Sequence, residues 1–448
     1  MYQIQSSRSL LLRPTPRGLR ALALRLANRN VVFLGLTSFF TDISSEMVST
    51  VLPLYIIYGL HLSPLQFGVV DGIYQGAAAL VRLAGGILAD RLQRYRAIAI
   101  AGYGISAVCR LGMLIIGTSL STVGGWVMLD RVGKGLRTAP RDALIALSTE
   151  SSSHLAASFG LHRAFDSAGA MLGPLVAFLL LGLLPGAFDA IFVVSFCFAL
   201  IGLATLVLFV EDHSREPSAK AKLCRAHHHA GHGSVRCPNC RNAPPIPPGA
   251  SLRKALALLR IPRFAALLAV GTLLGLLTLS DGFLFLNVQR RLDLSVGFFP
   301  LLYVITAFFY MLLALPAGRL ADRFGRGRVF LAGYGLLLLV YVLLLTPEIP
   351  RALLLASVVL LGTYYAATDG VLMALTSAIL PTPLQASGMA LLATTVGLAR
   401  LCSSLLFGSI WTWMGADQAL IGFAIGLSVA TLGSAAVLRL FPQPSHDT

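Results

Sequence analysis

The chain alternates between long apolar stretches and short polar segments over most of its length. Twelve of the apolar stretches approach the roughly 20 residues that an α-helix needs to cross a bilayer. Six of them precede a long polar segment, residues 212–260, and six follow it. The pattern predicts an all-α membrane protein with twelve transmembrane helices in two six-helix halves. The helices are expected to centre near Ser44, Ala78, Val108, Gly133, Leu172, Leu200, Leu276, Ala307, Leu338, Tyr364, Gly397 and Leu427.

The composition supports a membrane protein. Hydrophobic residues make up 56% of the chain and charged residues 12%, whereas a soluble domain carries roughly 25% charged residues. A surface built from this composition must face lipid. The net charge of +16 would suit a nucleic-acid partner, but the basic residues cluster in alternate loops, as the positive-inside rule expects. We therefore expect the lipid bilayer, and no nucleic acid, as a partner.

The basic loops also predict the orientation of the chain. Arg91, Arg94 and Arg96 lie between the second and third apolar stretches, and the loop between the eighth and ninth is equally basic. The loops on the other side lack Lys and Arg, with the exceptions of Arg290, Arg291 and Arg351. This distribution predicts a multi-pass protein of the inner (plasma) membrane whose two termini are both cytoplasmic.

Five segments follow from this pattern. They are a cytoplasmic basic arm (1–30), a first six-helix half (31–211), a cytoplasmic linker rich in His, Cys and Pro (212–260), a second six-helix half (261–441) and a cytoplasmic tail (442–448). The arm contains arginines and no acidic residue, which favours binding to anionic lipid. A mitochondrial transit peptide is the alternative.

One short phrase occurs once in each half. Residues 86–91 read GILADR, and residues 318–323 read GRLADR, a little over half the chain later. A duplicated apolar half is typical of two-fold membrane transporters. With this phrase between spans two and three of each half, the chain resembles the major facilitator superfamily over essentially its whole length. The second copy follows that family's pattern through Gly325 and Arg326, whereas the first copy has Gln93 in place of the Gly.

The resemblance implies the major facilitator fold and a transporter rather than an enzyme. It also implies a monomer that binds a small-molecule substrate and requires no cofactor. In that family the repeated phrase is a cytoplasmic latch whose acid and arginines bridge helix ends. The matching residues here are Asp90, Arg91, Arg94, Asp322, Arg323 and Arg326. The alternative is that these arginines only set the topology.

Ionisable residues inside spans are costly, so each is a functional candidate. In span one, Asp42 and Glu46 are four residues apart and project from one helical face. Two acids this close repel each other, which favours proton binding to one of them. We expect them to couple transport to protons. A permanent ion pair with a basic residue is the alternative.

Span four carries the highest density of charge. Asp130, Lys134, Arg137 and Arg141 fall on one helical stripe, which we expect to face the central cavity. If spans one and four meet, as the resemblance implies, Lys134 and Arg137 are counter-charges for the acids of span one or contacts for an anionic substrate. Asp130 and Arg131 belong to the same candidate group. For Arg141 and the adjacent Asp142 we expect a position near the cytoplasmic surface and a role in topology.

Span five contains Arg163 and Asp166, followed by Gly169, Gly173 and Pro174. The Gly-x-x-x-Gly-Pro sequence resembles a span-five motif of the family's antiporters. Ordinary packing of small residues between helices is the alternative, but it accounts only for the glycines. Arg163 and Asp166 therefore remain candidates for contact with substrate or counter-charge.

The second half contains fewer charged residues within its spans. Asp281, Asp369 and Arg400 are the main candidates, and Tyr365 lies one turn before Asp369. This asymmetry suggests that the first half handles protons and the second half binds substrate.

The linker contains Cys224, His228, Cys237 and Cys240. Thiolate and imidazole are ligands that zinc and nickel favour, so a metal site formed by these four residues is one interpretation. A disordered tether between the halves is the other.

Together these features predict a secondary active transporter, preferably a proton-coupled antiporter that exports a small molecule from the cytoplasm. Two alternatives stay open. One is a proton-coupled symporter that imports an anionic solute on the cations of span four. The other is efflux or sensing of a divalent metal such as nickel, with the linker as the metal-binding element. The fold leaves the substrate undetermined.

Overall fold

The computed structural model describes residues 28–92, 94–115, 119–149, 155–211, 258–380 and 385–440, and its regular structure over these residues is entirely helical. We number the α-helices in chain order. The first half contains α1 (Arg29–Leu54, continued by a π-helical turn at Tyr55–Gly59), α2 (Pro64–Leu92), α3 (Tyr95–Gly112), α4 (Leu120–Leu147), α5 (Leu155–Leu183) and α6 (Phe188–Phe209). The second half contains α7 (Pro262–Leu276), α8 (Asp281–Leu292), α9 (Phe299–Phe324), α10 (Arg326–Leu345), α11 (Arg351–Ile379), α12 (Gln385–Met414) and α13 (Ala416–Leu440).

The predicted all-α membrane fold is confirmed. Within the described ranges, ten helical stretches are long and apolar enough to cross a bilayer, and α7 with α8 counts as one of them. The two other long helices are α2 and α4, with 29 and 28 residues, and α4 owes its lower hydropathy to its cluster of charged residues. Each of the twelve predicted span centres lies within or at the end of one of these helices. Most of the basic arm, most of the linker and the tail lie outside the described residues.

The seventh span differs from the expected continuous helix, because it is interrupted between α7 and α8 at residues 277–280. The interruption exposes backbone groups that must find hydrogen bonds within the protein. The Tyr341 hydroxyl accepts from the Leu279 N–H at 2.9 Å and donates to the Leu277 carbonyl at 3.1 Å. Ser403 Oγ donates to the Thr278 carbonyl at 2.8 Å. Side chains of α10 and α12 therefore stabilise the break.

The bundle has two ends. We call the end that carries Asn28 and the α2–α3 and α9–α10 turns the terminal end, and the opposite end the far end. Near the far end the halves pack closely through glycines of α2 and α12. A Cβ on Gly68 would lie 2.5 Å from the Ser404 carbonyl oxygen, and one on Gly408 would lie 2.7 Å from that of Pro64. These glycines allow the two helices to approach almost backbone to backbone.

Aromatic contacts extend this interface between the halves. Phe67 of α2 packs edge-to-face on Phe283 of α8, with ring centroids 4.7 Å apart. Phe178 of α5 lies 5.8 Å from Phe298, just before α9. Phe67 and Phe178 lie toward the far end of their helices, and Phe283 lies on the far side of the break between α7 and α8. The halves are thus closed against each other at the far end.

The space between the halves opens toward the terminal end. Arg163 on α5 has a side chain that is 75% exposed, and Asp369 on α11 is also exposed. Both interact electrostatically with Tyr310 on α9, and they belong to opposite halves. Because charged side chains within spans avoid lipid, their exposure indicates water between the halves.

Candidate transport pathway

The two acids of α1 pack directly on the glycine motif of α5. A Cβ on Gly169 would lie 2.5 Å from the Phe39 carbonyl oxygen and 3.2 Å from the Asp42 Cβ. A Cβ on Gly173 would lie 2.8 Å from the Glu46 Cβ. The glycines of the predicted antiporter motif therefore allow close approach of α5 at the two positions where α1 carries a carboxylate.

Neither acid of α1 is held in an ion pair. Over the described residues, no Lys, Arg or His nitrogen lies within 4.0 Å of the carboxylate of Asp42 or Glu46. Glu46 accepts a 2.8 Å hydrogen bond from Ser49 Oγ. Lys134 of α4 is only partly buried and interacts electrostatically with both acids. One lysine is thus shared between two carboxylates.

A second charged cluster lies one turn closer to the terminal end. Arg141 of α4 donates to Ser38 Oγ at 3.1 Å and lies 3.8 Å from the Asp166 carboxylate. His162 of α5 contacts Ser38 Oγ at 3.0 Å and Asp166 at 3.6 Å. The Arg141 side chain is only 11% exposed. Our expectation of a surface residue that only sets topology is therefore wrong for Arg141, because it binds α1 and α5. Only Asp142, with a side chain that is 41% exposed, fits that expectation.

Asp130 and Arg131 do not face the cleft. Asp130 is buried between two guanidinium groups, Arg110 of α3 at 3.0 Å and Arg131 at 2.5 Å. Arg110 also donates to Ser45 Oγ of α1 at 3.1 Å, and Arg131 lies over the ring of Tyr74, 3.9 Å from its centroid. Asp130 and Arg131 therefore pair with each other and with Arg110, and neither forms an ion pair with Asp42 or Glu46 among the described residues.

Arg137 is likewise turned toward α3. Its guanidinium lies over the Tyr103 ring at 4.5 Å from the centroid, and the residue is 3% exposed. It still interacts electrostatically with Asp42. The predicted stripe of α4 therefore divides, because Asp130 and Arg137 bind neighbouring helices while Lys134 faces the acids of α1.

The second half places three of its candidates around one cavity. Asp281, the first residue of α8, accepts a 2.5 Å hydrogen bond from the Tyr365 hydroxyl of α11. Arg400 of α12 lines the same cavity and interacts electrostatically with both Asp281 and Asp369. The cavity measures about 160 Å³ and also receives Gln75 of α2 from the first half. It therefore lies between the halves.

Asp71, the acid that joins the halves, is not among the candidates predicted from the sequence. Asp71 of α2 is 8% exposed and accepts a 2.5 Å hydrogen bond from Ser404 Oγ of α12. A single acid within the apolar sequence of span two was the available signal, since such an acid is costly in a span. Arg110 in span three and His162 in span five are likewise ionisable residues within apolar sequence, and they could have been chosen as candidates for the same reason.

The second latch phrase makes contacts with three helices. Arg326 makes a 3.0 Å ion pair with Asp322, one turn earlier, and donates to the Ala374 carbonyl of α11 at 3.2 Å. The turn between them is formed by Gly325 with φ of +100°, a conformation that favours glycine. Arg323 lies against the ring of Phe324. The phrase thus links the end of α9, the start of α10 and the body of α11.

The remaining candidates are only partly described. Arg94 is an exposed residue just before α3, whereas the side chains of Asp90 and Arg91, and Gln93 as a whole, lie outside the described residues. The same holds for the predicted metal ligands Cys224, His228, Cys237 and Cys240. In the described ranges no group of three or more His, Cys, Asp or Glu residues is arranged to hold a metal ion.

Two repeated helical halves that enclose a charged cleft define a membrane transporter of the alternating type. A sequence model of the Major Facilitator Superfamily matches residues 34–305 and 282–448. The chain belongs to this superfamily, and it is a transporter rather than an enzyme.

Sequence relatives agree with this assignment. The chain is 28% identical over 393 residues to an uncharacterized MFS-type transporter of Methanocaldococcus jannaschii, covering 86% of this chain and 89% of the relative. An uncharacterized protein of Mycobacterium tuberculosis is 34% identical over 148 residues, which is 33% of this chain and 35% of that protein.

Solved structures share the fold. The nucleoside transporter NupG superposes with a TM-score of 0.70 at 16% identity, covering 91% of this chain and 99% of that one. The peptide transporter POT in complex with sulfate gives a TM-score of 0.71 at 16% identity, with coverage of 92% and 94%. At this identity the likeness establishes the fold alone.

Proposed function

We propose that the protein is a proton-coupled antiporter that exports a small molecule from the cytoplasm across the inner membrane. The observation that carries the proposal is that Lys134 interacts electrostatically with both Asp42 and Glu46 but, among the described residues, forms an ion pair with neither. A permanent ion pair would hold both acids in the charged form. A single lysine between two carboxylates leaves one of them available to bind and release a proton.

The two acids differ in their surroundings. Glu46 accepts a hydrogen bond from the Ser49 hydroxyl on the same helix. Asp42 has no side-chain hydrogen bond among the described contacts and lies beside a second acid, Asp166. Asp42 is therefore the residue that we assign as the proton carrier. When Asp42 is protonated, Lys134 pairs with Glu46; when it loses the proton, Lys134 is shared again.

The direction of export follows from the orientation that we assign. The terminal end carries the arginines of both latch phrases, so the positive-inside rule places it in the cytoplasm. In this orientation the cleft is open to the cytoplasm and closed toward the outside. Substrate enters from the cytoplasm, the halves rock about the cleft, and protons return from the outside through Asp42.

The proposal disfavours import of an anionic solute on the cations of α4. Arg131 and Arg137 are buried against Tyr74 and Tyr103, and Arg141 is bound to Ser38 and Asp166. Only Lys134 of this group remains directed at the cleft, and it faces two acids. The metal alternative depends on the linker, and deletion of residues 224–240 tests it, because an exporter of the proposed kind retains transport without them.

Two steps test the function. A deletion strain is screened for sensitivity to antibiotics, dyes and divalent metals, and the compounds found are added to proteoliposomes that contain the pH dye pyranine. We expect export of a compound to be accompanied by proton movement in the opposite direction. Movement of protons with the compound would instead support the symporter, and transport without proton movement would contradict coupling.

A further inference from the structure

The cavity between the halves has a composition that is not explained by helix packing. It is lined by polar residues from both halves, among them Gln75, Ser280, Asp281, Tyr365, Arg400 and Ser404. Its volume of about 160 Å³ accommodates on the order of ten water molecules or one small organic molecule. It lies at the break between α7 and α8, near the middle of the bundle. Broken helices at this depth are where transporters of repeated halves bind their substrates.

Among the described residues, Arg400 forms neither a hydrogen bond nor an ion pair in this cavity. Across the described residues it makes no hydrogen bond and has no carboxylate oxygen within 4.0 Å, and its Nε is buried without a partner. A guanidinium carries five N–H donors in a planar fork that matches a carboxylate. An unpaired charge in a span is costly. A ligand with an anionic group that pairs with Arg400 would remove this cost.

Only one of the two carboxylate oxygens of Asp281 accepts a hydrogen bond among the described residues. The Tyr365 hydroxyl occupies Oδ1, whereas Oδ2 has no hydrogen-bond donor in the part of the chain that the structure describes. No basic nitrogen lies within 4.0 Å of it there. The neighbouring Ser280 is 8% exposed, and its side chain interacts with the buried Asp71 carboxylate. Oδ2 of Asp281 therefore offers a position for a hydrogen-bond donor that carries positive charge.

From these contacts we infer that the cavity binds a small zwitterion of amino-acid size, with its carboxylate on Arg400 and its ammonium on Asp281. Arg400 and Asp281 attract each other but are held too far apart for an ion pair, so a molecule that carries both charges can satisfy both. A simple cation would leave Arg400 unpaired, and a simple anion would leave Asp281 unpaired. The inference rests on the proposed function, for which it names the substrate class.

The first test is binding to the full-length protein in detergent. The probes are the twenty common L-amino acids and dialanine, and the readout is the shift in melting temperature. We expect at least one probe to raise the melting temperature, because a ligand that binds only the folded state stabilises it. Its N-acetyl derivative, which is an anion, and its amide, which is a cation, should bind at least about tenfold more weakly, since each leaves one charge unpaired. Absence of a shift with every probe, or equal binding of a capped derivative, would overturn the inference.

Charge-changing variants distinguish ligand contact from a structural role. In Arg400→Gln the preference should move from the zwitterion to its amide, and in Asp281→Asn it should move to the N-acetyl derivative. Arg400→Lys keeps the charge and should keep the preference for the zwitterion. Arg290→Gln is the matched control, because Arg290 forms a surface ion pair with Asp417 at the far end. A general loss of binding in both site variants, without the two opposite changes of preference, would contradict the assignment.

Failure of this inference and failure of the proposed function give different results. Binding is measured without a pH gradient, so it does not depend on proton coupling. If an amino acid binds as described but its transport moves no protons, the zwitterion site is supported and the antiporter proposal is contradicted. If the exported compound is a lipophilic cation that moves against protons, the antiporter proposal is supported and the zwitterion site is contradicted.

Discussion

Ser404 of α12 donates a 2.5 Å hydrogen bond to the carboxylate of Asp71 on α2, and this bond crosses the interface between the two halves. Asp71 is buried, so the bond forms away from bulk water, where it is stronger than at a surface. It lies within the stretch where Gly68 and Gly408 bring α2 and α12 together. We regard it as one of the contacts that keep the far end closed.

Removal of this bond should shift the protein toward a state that is open at the far end. In Ser404→Ala the Asp71 carboxylate loses one of its donors, which costs about 1–3 kcal/mol in the closed state and less where water can replace the hydroxyl. Spin labels at His61 and Trp413 in a cysteine-free background report the distance between the far ends of the halves. We expect a larger population at long distance in Ser404→Ala than in the parent. Ser428→Ala is the control, because Ser428 bonds only the carbonyl of Ala424 on its own helix. Identical distance distributions for Ser404→Ala and the parent would contradict this role.

The glycine motif of α5 makes a prediction about stability. A methyl group at position 169 would lie 2.5 Å from the Phe39 carbonyl oxygen, a backbone atom that moves only if α1 moves. Gly169→Ala should therefore lower the free energy of unfolding by about 1–3 kcal/mol. Gly182→Ala on the same helix is the matched control, since a Cβ there meets no atom within 4 Å. Unfolding in mixed micelles with SDS gives both values, and equal stability of the two variants would show that the close approach of α1 and α5 is not required.

Asp130, Arg110 and Arg131 form a buried group of three charges in the first half. A single substitution in this group should lower the stability of the protein strongly. Asp130→Asn removes the negative charge that holds Arg110 and Arg131. Breaking a buried ion pair in this way costs about 3–5 kcal/mol. Asp417→Asn is the comparison, because Asp417 pairs with Arg290 and Arg291 but is 58% exposed, and exposed pairs contribute at most about 1 kcal/mol. The same SDS titration measures both, and a loss in Asp130→Asn no larger than in Asp417→Asn would show that the triad is not a stabilising element.

The fold was predictable because a bilayer demands long apolar helices. All twelve expected centres coincide with helices for this reason. The break after Leu276 was not predicted, although Thr278 and Ser280 interrupt the apolar sequence there, because the groups that stabilise it, Tyr341 and Ser403, come from other helices. A tertiary hydrogen bond of this kind leaves no mark on local hydropathy.

The site was predictable where the chemistry lies on one helix. The spacing of Asp42 and Glu46 places both on one face, and the structure adds that Lys134 faces them. The spacing of α4 could not show that Asp130 and Arg137 turn toward α3, because that depends on Arg110 and Tyr103. The bond between Asp71 and Ser404 joins residues from opposite halves, and no local pattern indicates it.

We assign Asp42 as the proton carrier, and transport by its variants in proteoliposomes tests this assignment. Wild type, Asp42→Asn and Asp42→Glu are reconstituted in proteoliposomes with internal pyranine, and the exported compound is added under an imposed pH gradient. The asparagine variant cannot exchange a proton, so we expect it to retain binding and passive exchange of the compound but to lose proton-driven accumulation by at least about tenfold, while the glutamate variant retains part of it. Proton-driven accumulation by Asp42→Asn at the wild-type rate would contradict the account.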